Sequence, residues 1–332
     1  MKKLIVIISF FITFIFSGCS NQTITPEVYS GFYFDTYIQI TIYDNADDKL
    51  FDKISSELSF YDSIFSESLS DNTLALINSS DYQNDLVPEE DFIYLLNLEL
   101  KYAGLTDGAF DPTIYSVSKL WDFKSSQPVP PSVDSINNAL SYVDYRNIYI
   151  SGDYVIKTSP DTKISFGAVA KGYIADKIAE LLLNEGINNA IINLGGNVLC
   201  IGQKPDKTDY TIGIAKPFSS TENILILNIK DHCSVVTSGV YERYFYDDDI
   251  LYHHIIDTST GYPVQNGLYS VTVVGPESTV CDFLSTALFT LYNDNQKAQE
   301  LLNEFPGYYA VYITNQYEII YSENFPTEII RN

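Results

Sequence analysis

The stretch Ile164-Ser165-Phe166-Gly167-Ala168-Val169-Ala170-Lys171-Gly172-Tyr173 runs from an extended segment through small residues straight into an apolar periodic run that lasts to Asn184. The periodicity predicts a helix over 168–184. Strand-like segments precede it around Ile148, Val155 and Ile164, and others follow around Ile191, Ile212, Ile226, Val235, His254 and Val271. One helix set irregularly among many strands, instead of one after every strand, predicts an α+β fold. The same reading extends outward. Phe34, Tyr37, Ile38, Ile40 and Ile42 mark a strand within 33–43, closed by Asp44-Asn45. Leu50, Phe51, Ile54, Leu58, Tyr61 and Phe65 have helical spacing over 47–65, and a second helix is expected over 89–105. Pro128, Pro130 and Pro131 make 124–132 a loop. Helices over 278–292 and 295–304 lead into strands at Val311 and Ile319. No repeat or linker interrupts the pattern, so 31–332 reads as one domain.

Composition narrows the function. The 332 residues include 19 Lys and Arg against 43 Asp and Glu, for a formal net charge of −24. So acidic a surface repels a phosphate backbone, which excludes nucleic acid as a partner. The 27 Tyr and 19 Phe serve either as core or as platforms for a planar ligand.

The N-terminus reads as a targeting segment. Lys2 and Lys3 precede an apolar run from Leu4 to Phe16 and then Ser17-Gly18-Cys19. The run is short for a membrane span and ends at small residues, as a cleaved signal does. Residues 1–18 are expected to be removed, and 19–30 to tether the domain. Three further cysteines, Cys200, Cys233 and Cys281, fit no metal spacing and lie in apolar settings. Buried free thiols are expected.

Five segments carry groups with chemical potential. The turn at Ala168–Lys171 offers backbone N–H groups and one cation to a phosphate, or simply packs tightly. Asn193-Leu194-Gly195-Gly196-Asn197 permits positive φ or close approach to a ligand, or forms a plain hairpin. Thr237-Ser238-Gly239 is followed by Glu242 and Arg243, a salt bridge or a binding pair. His253-His254-Ile255-Ile256-Asp257 holds two of only three histidines. On a strand these alternate, so His254 and His253 face opposite ways, and His254 could act as a base near neutral pH. Asp282 and Thr286 are four apart on an apolar helix and share one face, where two hard oxygens suit Mg²⁺; a cap and a backbone-bonded hydroxyl are the alternatives.

Taken together, and with Gly108-Ala109-Phe110-Asp111-Pro112-Thr113 and Leu120-Trp121-Asp122-Phe123, these segments resemble the ApbE-type flavin transferases. The resemblance runs from about Tyr33 to Tyr321. It implies a T-fold-like core of antiparallel strands with an added helical part. It implies a Mg²⁺-dependent FAD:protein FMN transferase, which joins FMN by a phosphoester to a Thr or Ser hydroxyl of a target protein and releases AMP. Typical acceptors in the family are membrane electron-transfer subunits. By the same resemblance the metal falls to the Ala168 carbonyl, Asp282 and Thr286, with Ser285 adjacent. FAD contacts fall on Phe34, Ala109, Phe110, Asp111, Ser165, Lys171 and Ile256. His254 is the implied base and Asp257 its reserve. Cys19 resembles a lipobox cysteine, which implies a lipid anchor on the outer face of the cytoplasmic membrane.

The chain departs from the family pattern at Ser165, where many relatives have Asp, and at Ser68, where an aromatic is frequent. Val240 and Thr258 replace the usual Asp and Pro. Two rival readings are a FAD pyrophosphatase yielding FMN and AMP, and a lipoprotein that only stores FAD.

Overall fold

A computed structural model of the chain describes residues 25–79 and 81–331. The expected signal (1–18), Cys19 and the first part of the expected tether lie outside the described residues. Strands β1 (Glu27–Tyr33) and β2 (Thr36–Ile42) open the fold as a hairpin. Helices α1 (Asp48–Phe65), α2 (Thr73–Ile77), α3 (Glu90–Leu105), α4 (Tyr115–Ser118) and α5 (Val133–Leu140) follow. A small hairpin of β3 (Ile148–Ser151) and β4 (Tyr154–Lys157) leads to α6 (Ala170–Asn184). Then come β5 (Ala190–Leu194), β6 (Asn197–Ile201), β7 (Tyr210–Ala215), β8 (Asn223–Ile229) and β9 (Cys233–Gly239). The last part holds β10 (Tyr244–Asp247), β11 (Ile250–His253), β12 (Leu268–Gly275), α7 (Ser278–Leu291), α8 (Asn295–Asn303), β13 (Tyr309–Thr314) and β14 (Ile319–Tyr321).

Among the described residues, eight strands form one sheet in the order β1-β2-β5-β6-β9-β12-β13-β14, with every neighbouring pair antiparallel. The architecture is the expected α+β. In β2, Ile38, Ile40 and Ile42 alternate onto one face and are fully buried there. Each such side chain stabilises the fold by roughly 1.5–3 kcal/mol. They meet Leu50, Ile54 and Leu58 of α1 and the apolar faces of α6 and α7 in the main core. The β7–β8 hairpin covers part of the opposite face, where Ile212 and Leu227 pack on Val235 and Val274. A third cluster joins α4 and α5 to the β10–β11 hairpin around Trp121 and Ile136. Cys200, Cys233 and Cys281 are free thiols, Cys233 only half-buried.

The structure corrects several expectations. β1 begins at Glu27, opposite Ile42, so residues 27–30 belong to the sheet and not to the tether. Ile164 is in no strand. Its N–H donates to Oδ1 of Asn78, and Nδ2 of Asn78 donates to its carbonyl, each at 2.8 Å. One side-chain amide satisfies the backbone groups that a neighbouring strand would have taken. Strand β11 stops at His253, one residue before His254.

Candidate active site

Helices α6 and α7 lie close together because position 172 is glycine. A Cβ there would fall 2.7 Å from the Ser278 carbonyl carbon and 2.8 Å from Asp282 Cβ. The contact lets the Gly172 N–H donate to Asp282 Oδ2 at 2.8 Å. Lys171 Nζ lies 3.8 Å from the other oxygen, Oδ1. Asp282 is only 2% exposed. Burial holds its carboxyl above the usual carboxylate range, against the pull of Lys171 and the Gly172 N–H. One turn along, the Thr286 hydroxyl is 2.9 Å from Ser238 Oγ of β9. Ser238 also meets Ser285 Oγ at 2.7 Å, and Ser285 Oγ donates back to the Asp282 carbonyl at 2.9 Å. The sheet thereby fixes the helix face that carries Asp282 and Thr286.

A cleft of about 300 Å³ opens over this face, between the sheet end and the α4 region. Lys119, Lys124, Lys171 and Arg243 all line it. Glu67, Asp111, Asp122, Glu242 and Asp282 line it too, and Lys124 pairs with Asp35 at 2.5 Å. An anion would therefore rest locally on Lys119, Lys171 and Arg243 and not on a cleft of net positive charge. A second hollow of about 400 Å³ shares Glu67, Lys171, Arg243 and His254 with the cleft and extends to Phe34 and Gly195. Gly195 adopts φ +60°, and a Cβ there would collide with the Thr36 side chain. The paired glycines therefore bring the β5–β6 turn against the β1–β2 turn at the edge of this hollow.

His254 lines both hollows. Its Nδ1 is buried without a hydrogen-bond partner, and its backbone N–H donates to the Arg243 carbonyl at 3.1 Å. Burial first, then Arg243, His253 and Lys171, push the imidazole down to about 3. It is therefore neutral at ordinary pH, and a weaker base than an unperturbed histidine. His253 points away from the cleft. Nε2 donates to the Val264 carbonyl at 2.9 Å, and Nδ1 accepts the Ile255 N–H at 3.3 Å. The two partners fix one neutral tautomer, and burial pushes this ring down to about 4.

Comparison with known proteins decides the family. The ApbE family model matches residues 34–313. The chain belongs to the ApbE family. Among its relatives, the FAD:protein FMN transferase of Treponema pallidum (strain Nichols) is 33% identical over 267 residues, 75% of this chain and 73% of that one. The FAD:protein FMN transferase of Klebsiella pneumoniae (strain 342) is 29% identical over 296 residues, 89% and 91% of the two chains. The ApbE protein of Thermotoga maritima superposes with a TM-score of 0.82 at 30% identity, over 93% of this chain and 100% of that one. The flavin transferase ApbE of Vibrio cholerae gives 0.77 at 25% identity, over 91% and 98%.

In this ApbE chain the expected site residues divide into three groups. Ala109, Phe110, Asp111, Ser165, Ala168, Lys171, His254, Ile256, Asp282 and Thr286 all line the cleft, and Phe34 lines the adjoining hollow. Asp111 reaches the cleft wall but spends its oxygens locally. Oδ1 accepts the Thr113 N–H and hydroxyl, and Oδ2 accepts the Tyr145 N–H at 2.8 Å. Ser285 and Asp257 stand apart from the cleft lining. Ser285 is fully buried and braces Ser238. Asp257 Oδ1 accepts the N–H and hydroxyl of Ser259 at 2.7 and 2.6 Å, and the Asp257 backbone closes the turn with Tyr262 and Gly261. That carboxylate is a turn former, which corrects its expected role as reserve base.

Sequence reasoning missed Lys119, Lys124 and Glu67, and read Arg243 most simply as a salt bridge to Glu242. The scarcity of cations was the available signal, since Lys119 and Lys124 flank the Trp121 motif. Glu67 explains the departure at 165. The Ser165 hydroxyl donates to Glu67 Oε1, so a carboxylate occupies the cleft wall beside Ser165 although position 165 carries none. Among the described residues no cluster of three His, Cys, Asp or Glu side chains could hold a metal. A metal in this cleft would rest on one buried carboxylate, Asp282, with the Thr286 hydroxyl, the Ala168 carbonyl and oxygens from a substrate. Those are all hard donors, and the set fits Mg²⁺.

Proposed function

We propose that this chain transfers FMN from FAD to a hydroxyl of a protein, with Mg²⁺ held by Asp282, Thr286 and the Ala168 carbonyl. The observation that carries the reading is the meeting, in one cleft, of that hard-oxygen face, Lys171, Arg243 and the His254 ring. In the balanced reaction a Thr or Ser oxygen of the acceptor bonds to the FMN phosphorus, the pyrophosphate bond breaks, and AMP leaves. Lys171 and Arg243 hold the diphosphate by charge. His254 takes the proton of the attacking hydroxyl. A diphosphate seated against Lys171 and Arg243 would offset their two cationic influences on His254, while burial, the larger cause, still holds the ring weakly basic. Bound Mg²⁺ would neutralise charge on the diphosphate and ease departure of AMP. Phe34, Phe110 and Ile256 supply apolar surface for the flavin and adenine rings.

We place the enzyme at the outer face of the cytoplasmic membrane, anchored by lipid at Cys19, with a membrane electron-transfer subunit as acceptor. The transfer reading is tested by incubating the mature protein with FAD, Mg²⁺ and candidate acceptors. A flavin-fluorescent acceptor band that survives denaturation, with one AMP released per band, is expected. FMN and AMP formed at the same rate without any labelled protein would establish the hydrolase instead. FAD retained intact would establish a storage protein. Release of a Cys19→Ala protein from the membrane fraction, with activity retained, is expected for the anchor.

A further inference from the structure

We infer that an aromatic ridge on the outer side of the cleft is the docking surface for the acceptor protein. The inference rests on the transfer reading above. Five rings drawn from two hairpin turns and two strands make the ridge. Tyr317 packs on Tyr269 with ring centroids 5.3 Å apart, Tyr269 on Phe218 at 5.1 Å, Phe218 on Tyr244 at 5.2 Å, and Tyr244 on Tyr246 at 5.9 Å. Phe218 comes from the tip of the β7–β8 hairpin, Tyr244 and Tyr246 from β10, Tyr269 from β12, and Tyr317 from the β13–β14 turn. A core needs such a gathering, but here Phe218, Tyr244, Tyr246 and Tyr317 stay 37–59% exposed. Contiguous exposed apolar surface of this kind marks an interaction site.

Two further observations bear on the ridge, one on its geometry and one on its link to the cleft. The first is strain. Phe218 and Tyr317 hold φ of +60° and +62°, a left-handed conformation unfavourable for bulky side chains. Relaxing either would take its ring out of the line. The second is continuity with the cleft. The Phe218 ring also packs edge-on to Tyr241, with centroids 6.0 Å apart, and Glu242 and Arg243, the next two residues, line the cleft before the chain emerges at Tyr244. A protein segment lying along the ridge is thereby led to His254.

Charge selects the occupant. Beyond Tyr246 the end of β10 and the β10–β11 turn carry exposed Asp247, Asp248 and Asp249. None of the three forms an ion pair among the described residues. The fitting occupant is an extended acceptor segment beside the target hydroxyl, with apolar side chains for the rings and a basic one for the acidic turn. A second copy of this chain, itself strongly acidic, fits the turn badly, and so does an anionic lipid surface.

The test uses the mature enzyme and, as probe, the soluble domain of whichever acceptor becomes fluorescent with the wild type. Phe218→Gly suits the positive φ, so the double variant F218G/Y246S removes two rings without a backbone penalty. Its KM for the acceptor should rise about tenfold or more, with kcat, FAD affinity and melting temperature held. Asp247→Asn, Asp248→Asn and Asp249→Asn together should raise KM and flatten its dependence on salt. An unchanged KM in both variants overturns the docking surface while leaving transfer intact. A shift from dimer to monomer in the double variant, with KM unchanged, overturns it in favour of a self-interface. A wild type that labels no acceptor overturns the transfer reading and the docking surface with it.

Discussion

Gly172 and Asp282 are in direct contact across two helices: the glycine N–H donates to Oδ2 at 2.8 Å, and a Cβ at 172 would lie 2.8 Å from the aspartate Cβ. The carboxylate of the proposed metal set is thus aimed by the backbone of the neighbouring helix. Gly172→Ala should push α6 and α7 apart, costing about 1–3 kcal/mol as an overpacked contact. It should also weaken Mg²⁺-dependent FAD turnover more than FAD binding. Chemical denaturation and titration of turnover against Mg²⁺ check both parts.

Asp282 is the one carboxylate in the proposed metal set. Asp282→Ala should abolish transfer while leaving the far-ultraviolet circular dichroism unchanged. Thr286→Ala should lower Mg²⁺ affinity without abolishing turnover, because a neutral ligand is lost in place of a charged one. Undiminished transfer by Asp282→Ala at limiting Mg²⁺ would sink the assignment.

His254 and His253 are adjacent in sequence and opposite in setting: His254 lines the cleft, and His253 is tied to Val264 and Ile255. Loss of a general base typically costs on the order of 10²–10⁴-fold in rate. His254→Ala should show that loss in kcat with FAD affinity nearly unchanged. His253→Ala should retain a kcat near the wild type once corrected for folded protein, but at lower stability, since it empties a buried site. Equal small losses in kcat for both variants would remove His254 from the reaction.

The same pair makes stability depend on pH. Burial lowers the folded value of His253 to about 4, against roughly 6.5 in an unfolded chain. Below 6.5 the unfolded state binds the extra proton, so stability falls as pH drops from 6.5 toward 4. The loss approaches roughly 3 kcal/mol from His253, and His254, lowered to about 3, adds in the same direction. Melting temperatures between pH 6.5 and 4.5 should fall in the wild type and fall less steeply in His253→Gln. Parallel slopes for the two proteins would refute the assignment.

Much of this architecture was legible in the residues because its signals are local. Leu50, Ile54 and Leu58 repeat with the helix period, and Ile38, Ile40 and Ile42 alternate with the strand period, whatever the rest of the chain does. The strand expected at Ile164 failed because its pairing partner is the side chain of Asn78, far away in sequence. β1 went unread because Tyr29, Gly31 and Tyr33 make a weak alternation, half-buried against α1. Within the site, residues inside motifs were found. Lys119, Lys124 and Glu67 were not, since only tertiary folding brings them to the cleft, and Asp257 resembled a catalytic group because an exposed turn and an active-site strand can share one short segment.

The direction of β1 has a consequence for where the enzyme can work. The strand enters the sheet at Glu27 and ends at Tyr33, beside the Phe34 turn that borders the second hollow. With lipid on Cys19, the eight residues that lead to Glu27 reach at most about 28 Å, and β1 adds about 20 Å more. On the proposed Cys19 anchor, the Phe34 end of the site would stand no more than about 50 Å from the lipid. On that proposal, an acceptor hydroxyl standing higher above the bilayer would be out of reach, however well its sequence fits. Lengthening the segment before Glu27 would widen the range of heights the enzyme can serve.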